Sequence, residues 1–168
     1  MNSWAQERLY PDLLSPATCQ EMLERCKALQ PFHWVKVDRA VGKQGYAGAW
    51  SRYAYATQDS MPPEMAEWIW AQAPSNPGWE LGRFTVNRYR VGEYIGLHKD
   101  RGTHDLNLII PLQSGADGVC IEDVVYPDIA GSGRLHIYNG KPHCVPPVSQ
   151  ERYVVIYLYK EVGIHDQG

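Results

Sequence analysis

From Trp79 onward the chain is a run of short apolar stretches cut by turns, and this cadence limits the folds open to it. Strands are expected over 81–89, 105–111, 118–122, 123–127, 133–138 and 153–159. Gly115-Ala116-Asp117-Gly118 and Ala130-Gly131-Ser132-Gly133 punctuate them. Many short strands in regular succession build a sandwich or jelly roll. The first half reads differently. Residues 16–29 suit a helix, with Ser15 as N-cap, Pro16 in the first turn and an apolar stripe of Leu14, Met22, Leu23, Cys26 and Leu29. Residues 62–72 suit a second, short helix with Met65, Trp68 and Ile69 on one side. Residues 32–37 alternate as a strand does, and 42–60 mix strand and loop character. Helices first and strands later imply an α/β architecture in which helices buttress a β core. At 168 residues the chain is expected to form one domain, 1–168, with its β core at about 80–160.

Composition excludes several classes. The net charge of −3 offers no global basic field to draw nucleic acid or an anionic membrane. No apolar run approaches membrane-spanning length. None of the four cysteines sits in a C-x-x-C pair, so neither a zinc ribbon nor a thioredoxin-type motif is present. The first residues lack a basic-then-apolar signal pattern, and a reduced, cytoplasmic protein is the default expectation. Eleven Tyr and six Trp against two Phe give many rings with a polar tip, suited to pocket walls as well as to the core.

The chemistry concentrates in three residues and a fourth. His98 and Asp100 stand two apart, so on an extended strand they face the same side. His143 follows far downstream, after a strand that runs into a turn. Two imidazoles and one carboxylate on one face of a six-coordinate metal leave the opposite positions open, as in non-haem Fe(II) sites. Arg152 opens the last apolar strand, Tyr153-Val154-Val155-Ile156-Tyr157-Leu158-Tyr159. An arginine facing into a β core is costly unless an anion pairs with it. Its planar fork matches a carboxylate bidentately. A dicarboxylate that chelates the metal with one end would meet Arg152 with the other.

On these residues the chain resembles the 2-oxoglutarate-dependent Fe(II) oxygenases, over roughly 84–159. Asn87-Arg88-Tyr89 with Gly92 and then His98-x-Asp100 is similar in spacing to AlkB-type demethylases. There the Asn and Tyr contact 2-oxoglutarate, which implies that role for Asn87 and Tyr89. The stretch from Asp123-Val124-Val125-Tyr126-Pro127 to His143-x-Val145 and Arg152 resembles prolyl hydroxylases, in which a basic residue after the distal His binds the far carboxylate of 2-oxoglutarate. The two late arginines of AlkB-type enzymes have no counterpart, because only eight residues follow Lys160. The resemblance implies a double-stranded β-helix (a cupin-like jelly roll) and Fe(II), 2-oxoglutarate and O2 as reactants, with ascorbate as a possible reductant. It also implies hydroxylation of an unactivated C–H, with release of succinate and CO2. Asp100 favours hydroxylation over halogenation, since halogenases replace the carboxylate by a small residue. The expected partner is a small-molecule or peptidyl substrate. An AlkB-like nucleic-acid demethylase and a non-enzymatic cupin-like metal-binding module stay open as alternatives. Oligomeric state is not legible.

Other residues carry weaker readings. Arg101 follows Asp100 and is a candidate to steer an anionic substrate group, or else a solvent-facing arginine. Trp50 and Arg52 lie in the Gly- and Tyr-rich 42–60 segment, which reads either as a wall or lid over the open end or as a surface hairpin. His136 reads as a core histidine, His104 and Asp105 as a solvated turn, and Arg83, Arg88 and Arg90 as a basic outer face.

Overall fold

The computed structural model of the chain describes residues 9–40, 49–99, 106–137 and 142–162. Asp100, Arg101, His104, Asp105 and His165 lie outside the described residues, as does 42–48 of the expected lid. The strands are β1 (Leu9–Tyr10), β2 (Val35–Ala40), β3 (Trp50–Thr57), β4 (Trp79–Tyr89), β5 (Ile95–His98), β6 (Leu106–Pro111), β7 (Gly115–Ile121), β8 (Val124–Asp128), β9 (Gly133–Ile137), β10 (His143–Val145) and β11 (Arg152–Glu161). Helices α1 (Pro16–Lys27) and α2 (Pro63–Ala71) precede the main run of strands. The strands form a seven-stranded sheet, β1-β9-β6-β11-β4-β3-β2, and a four-stranded sheet, β5-β10-β7-β8. Every pairing is antiparallel. Two facing antiparallel sheets, with successive strands passing from one to the other, are a double-stranded β-helix.

The larger sheet is apolar on the face toward the helices and mixed on the other, and alternation decides which residue serves which face. Along β11, Tyr153, Val155, Tyr157 and Tyr159 join Phe84 and Val86 of β4 and Leu106, Leu108 and Ile110 of β6 in the main core. Helices α1 and α2 cover that face with Cys19, Met22, Leu23, Cys26, Met65 and Ile69. The buried Tyr157 and Tyr159 phenols cannot be left unbonded, and they donate to the carbonyls of Ile69 and Pro74 at 2.7 and 2.5 Å. α1 starts where its N-cap is satisfied: Ser15 Oγ accepts from Thr18 N–H at 3.1 Å. The other face of the sheet looks toward β5, β7, β8 and β10, and a smaller core of Tyr89, Ile95, Val119, Ile121, Val145 and Val148 closes part of that space.

Several local expectations need correction. Residues 31–33 form a 3-10 turn, so β2 starts at Val35 instead of 32. Residues 115–118, expected as a turn, open β7. The abutting strands 118–122 and 123–127 are a hairpin whose two-residue turn, Glu122-Asp123, has φ of 51° and 64°. Positive φ at both turn positions is the primed geometry that matches strand twist, usually marked by Asn-Gly, a signal absent here. Arg83 and Arg88 are five apart and so lie on opposite faces of β4. Arg88 is buried over the Trp34 ring at 4.6 Å, and no common basic face forms.

Two outcomes follow from this packing. Phe84 is fully buried between sheet and helices, so Phe84→Ala should cost ~3–5 kcal/mol in urea unfolding, with the m-value unchanged. Burial pushes the Cys26 thiol up to about 12. Iodoacetamide at mildly alkaline pH should therefore leave Cys26 unmodified in the native chain and modify it in urea, read by peptide mass.

Candidate active site

His98 ends β5 and His143 begins β10, and the two are directly opposed in register. Their ring centroids are 4.5 Å apart and the planes are inclined by 53°. Both residues are buried. Such a pair is brought together by strand pairing alone, across a sequence gap that no local pattern reveals. His98 Nδ1 lies 2.7 Å from the Gly96 carbonyl, a contact that puts the proton on Nδ1 and the lone pair on Nε2. Gly96 is tightly enclosed, since a Cβ there would meet the Trp50 carbonyl and Ala49. Its own N–H donates to Ser51 Oγ at 2.7 Å, which anchors the preceding peptide and so the residue whose carbonyl meets the ring. The described residues contain no set of three metal-binding side chains, Asp100 being outside them.

Both histidines line a cavity of ≈ 470 Å³ between the sheets, a volume that suits a small ligand. Its opposite wall is the β4–β11 pair, whose register sets Arg152 against Tyr89, Val154 against Asn87, Ile156 against Thr85 and Leu158 against Arg83. These eight side chains share one face, and all line the cavity. The structure therefore brings together His98, His143, Asn87, Tyr89 and Arg152.

Arg152 is 3% exposed and already has an anion. Its Nε donates to Asp128 Oδ2 at 2.6 Å and its Nη2 to Asp128 Oδ1 at 3.1 Å. Asp128 sits at the end of β8, so this ion pair joins the two sheets. Sequence reasoning missed it, because an acid closing an edge strand has no local signature. The remaining nitrogen, Nη1, is buried and makes no hydrogen bond. The Nε–Nη2 edge of the fork is thus taken by Asp128 and not open to an incoming carboxylate, and Nη1 is the nitrogen left without a hydrogen bond. Burial works against the guanidinium's charge, yet the bonds and charge of Asp128 outweigh it and hold its pKa above the ordinary value. Arg152 Cζ also lies 5.0 Å from the centre of the Tyr89 ring, and Tyr53 stacks on the far side of this cluster at 5.5 Å and 22° from Tyr89. Burial raises the Tyr89 phenol, which stays protonated and able to donate. Asn87 Nδ2 donates weakly to it at 3.4 Å.

Trp50 and Arg52 do not reach the cavity. They lie on the exposed side of β3, where Trp50 Nε1 donates to Asp38 at 2.8 Å and Arg52 approaches the same carboxylate at 3.5 Å. The period of two puts Tyr53 and Tyr55 of the same 42–60 segment on the cavity wall in their stead. Residues 50–57 of that segment are thus a paired strand between β2 and β4.

Removing one partner of the buried pair leaves an uncompensated charge. Asp128→Ala should lower stability by ~3–5 kcal/mol in chemical denaturation, and the double variant Asp128→Leu/Arg152→Met should recover most of that loss. A single-variant cost below ~1 kcal/mol, the level of an exposed ion pair, would contradict the burial of this bridge.

No protein-family model matches the chain, and no curated protein matches it in sequence. Solved structures do match in three dimensions. The viral collagen prolyl hydroxylase of Paramecium bursaria Chlorella virus-1, in complex with 2-oxoglutarate, aligns with a TM-score of 0.57 at 13% identity, over 92% of this chain and 96% of that one. A Pseudomonas putida prolyl-4-hydroxylase aligns with a TM-score of 0.56 at 14% identity, over 93% and 92%. The epimerase SnoN, in complex with Fe3+ and α-ketoglutarate, aligns with a TM-score of 0.63 at 13% identity, over 91% and 78%. What they share with this chain is the arrangement of its two sheets: it has the double-stranded β-helix fold of the 2-oxoglutarate–Fe(II) oxygenases.

Proposed function

We propose that the chain is an Fe(II)- and 2-oxoglutarate-dependent oxygenase that hydroxylates an unactivated C–H of an amino acid, a peptide or a related small metabolite. The observation that carries this reading is the buried Nη1 of Arg152, a charged donor without a partner in the same cavity as two facing histidines. A metal-binding module needs the histidines, and the Asp128 bridge accounts for two nitrogens of the guanidinium, but neither uses the unbonded Nη1. A dicarboxylate held by a metal at one end and by Arg152 at the other uses both the histidines and Nη1.

The residues present fit the two groups. His98 and His143 supply borderline nitrogen ligands, and Asp100 is assigned as the carboxylate from its spacing alone. When bound, iron supplies the activation of O2 coupled to decarboxylation of 2-oxoglutarate. The protein supplies position and dryness. The Gly96 carbonyl holds the His98 ring in the tautomer that offers Nε2. Arg152 Nη1 and the Tyr89 hydroxyl are donors for the distal carboxylate, with Asn87 beside them. Ile95, Ile109, Val119 and Val145 line the same cavity and set apolar surface beside these polar groups. The acidic net charge weighs against an AlkB-like activity on nucleic acid.

A screen of amino acids, peptides and metabolites for stimulated succinate release tests the assignment directly. His98→Ala and His143→Ala should each abolish metal binding, measured by metal analysis, and turnover with it; a variant with full metal content would remove that residue from the ligand set. Arg152→Ala should raise the 2-oxoglutarate Kd by about two orders of magnitude or more, with metal binding retained. Because that change also strands Asp128, Tyr89→Phe is the gentler check, with an expected rise of about 2- to 10-fold. Unchanged affinity in both would take the β4–β11 wall out of the co-substrate site.

A further inference from the structure

Cysteines are the reactive side chains that the site does not use, and they divide into two kinds. Cys19 and Cys26 are buried in the main core. They stand seven residues apart on α1, about 10 Å along its axis and too far for a disulfide. Cys120 and Cys144 are placed differently. β7 and β10 pair antiparallel, with Cys144 directly opposite Cys120 and His143 opposite Ile121. His143 and Ile121 are buried and face inward. Alternation therefore sends both thiols to the outer face of the smaller sheet, where both residues are half-buried. Directly opposed residues of an antiparallel pair have Cα atoms about 4.5–5.5 Å apart, within the span of about 4.4–6.8 Å that a disulfide bridges. The two side chains also hydrogen-bond to each other. Val125, opposite Cys120 on β8, and Leu97, beside His98 on β5, are exposed on the same face, so small reagents reach it.

We propose that Cys120 and Cys144 are a reversible thiol–disulfide site, oxidised by a hydroperoxide and reduced by a dithiol, on the outer face of the sheet that carries the histidines. One sulfur attacks an oxygen of hydrogen peroxide and the O–O bond breaks. That sulfur becomes a sulfenic acid, while the departing oxygen takes the thiol proton and leaves as water. The second sulfur displaces the hydroxyl of the sulfenic acid, the S–S bond forms, and the hydroxyl leaves with the second thiol's proton as another water. Two thiols thus lose two electrons and two protons, and one hydrogen peroxide becomes two waters. A dithiol restores both thiols by exchange and leaves as its own disulfide. Burial, and after it the neighbouring Cys120, pushes the Cys144 thiol up to about 11, so the reaction is expected over minutes to hours. The bridge closes 120–144 into a loop and ties β7 to β10 at the level of His143. The pairing comes from strand register and holds whether or not the cavity takes 2-oxoglutarate.

The full chain, reduced and freed of reductant, is treated with millimolar hydrogen peroxide, with and without a chelator that suppresses metal-catalysed oxidation. Free thiols are then blocked with N-ethylmaleimide in urea, and the chain is digested without reduction. Peptide mass should show Cys120 joined to Cys144, two hydrogens lighter than the two thiol peptides together. Cys19 and Cys26 should be recovered as blocked thiols, and dithiothreitol should return Cys120 and Cys144 to thiols. A mixture of isotopically heavy and light chains should give no heavy–light link, since the bridge lies within one chain. Cys120→Ser and Cys144→Ser should each prevent the link and leave the other sulfur as a sulfenic acid captured by dimedone. The wild-type linkage needs no variant, so a substitution that fails to fold leaves the decisive measurement in place. Three results would overturn the assignment: both thiols still free for the maleimide after peroxide, passage of either to sulfinic acid with no linked form, or links from the native protein that run between chains or to Cys19 or Cys26.

Discussion

The bridge between Arg152 and Asp128 ties the molecule together at the point where it must also stay open. A guanidinium buried between two sheets is unfavourable by several kcal/mol unless its charge and its donors are met. Asp128 meets two of the donors and the charge, and in doing so fixes the end of β8 against the start of β11. It leaves Nη1 bare. Full satisfaction would have made Arg152 purely structural, and no satisfaction would have made it untenable in an empty cavity. Partial satisfaction keeps a folded chain while holding one strong donor in reserve, oriented by the Tyr89 ring beside it.

That arrangement depends on the two faces of the larger sheet having different tasks. The odd positions of β11 from Tyr153 to Tyr159 meet helices and carry the main core, whereas Arg152, Val154, Ile156 and Leu158 meet the cavity. A register slip of one residue would exchange the faces and drive Arg152 under the helices. The ten-residue ladder to β4 and the second ladder to β6 hold the register against such a slip. The helices matter to function in this indirect way: α1 and α2 make one face obligatorily apolar, and the cavity inherits the other.

The histidine pair shows the complementary use of the smaller sheet. His98 and His143 are opposed by strand pairing, and the tightness around Gly96 sets the ring of one of them. The cavity then lies between this pair of facing imidazoles and the strip of polar side chains on β4 and β11. Little of this relies on loops, because the positioning side chains stand on paired strands.

Local sequence determined what local physics can enforce. Alternation marked most strands, apolar stripes marked both helices with a cap at the first, and residue chemistry singled out His98, His143 and Arg152. The cost of burying a charge even required that Arg152 have an anion. Which anion was a tertiary matter: Asp128 is 24 residues away on the other sheet, and nothing within its own strand announces the pairing. The same limit put Trp50 and Arg52 on the wrong side of β3, since period two fixes which residues share a face and is silent about which face looks inward until the sheets are stacked. Arg39 and Arg83 became cavity residues for that reason too, at opposite ends of the larger sheet. Their side chains are ordinary in the sequence, and only the packing of one sheet over another gives either of them a cavity to line.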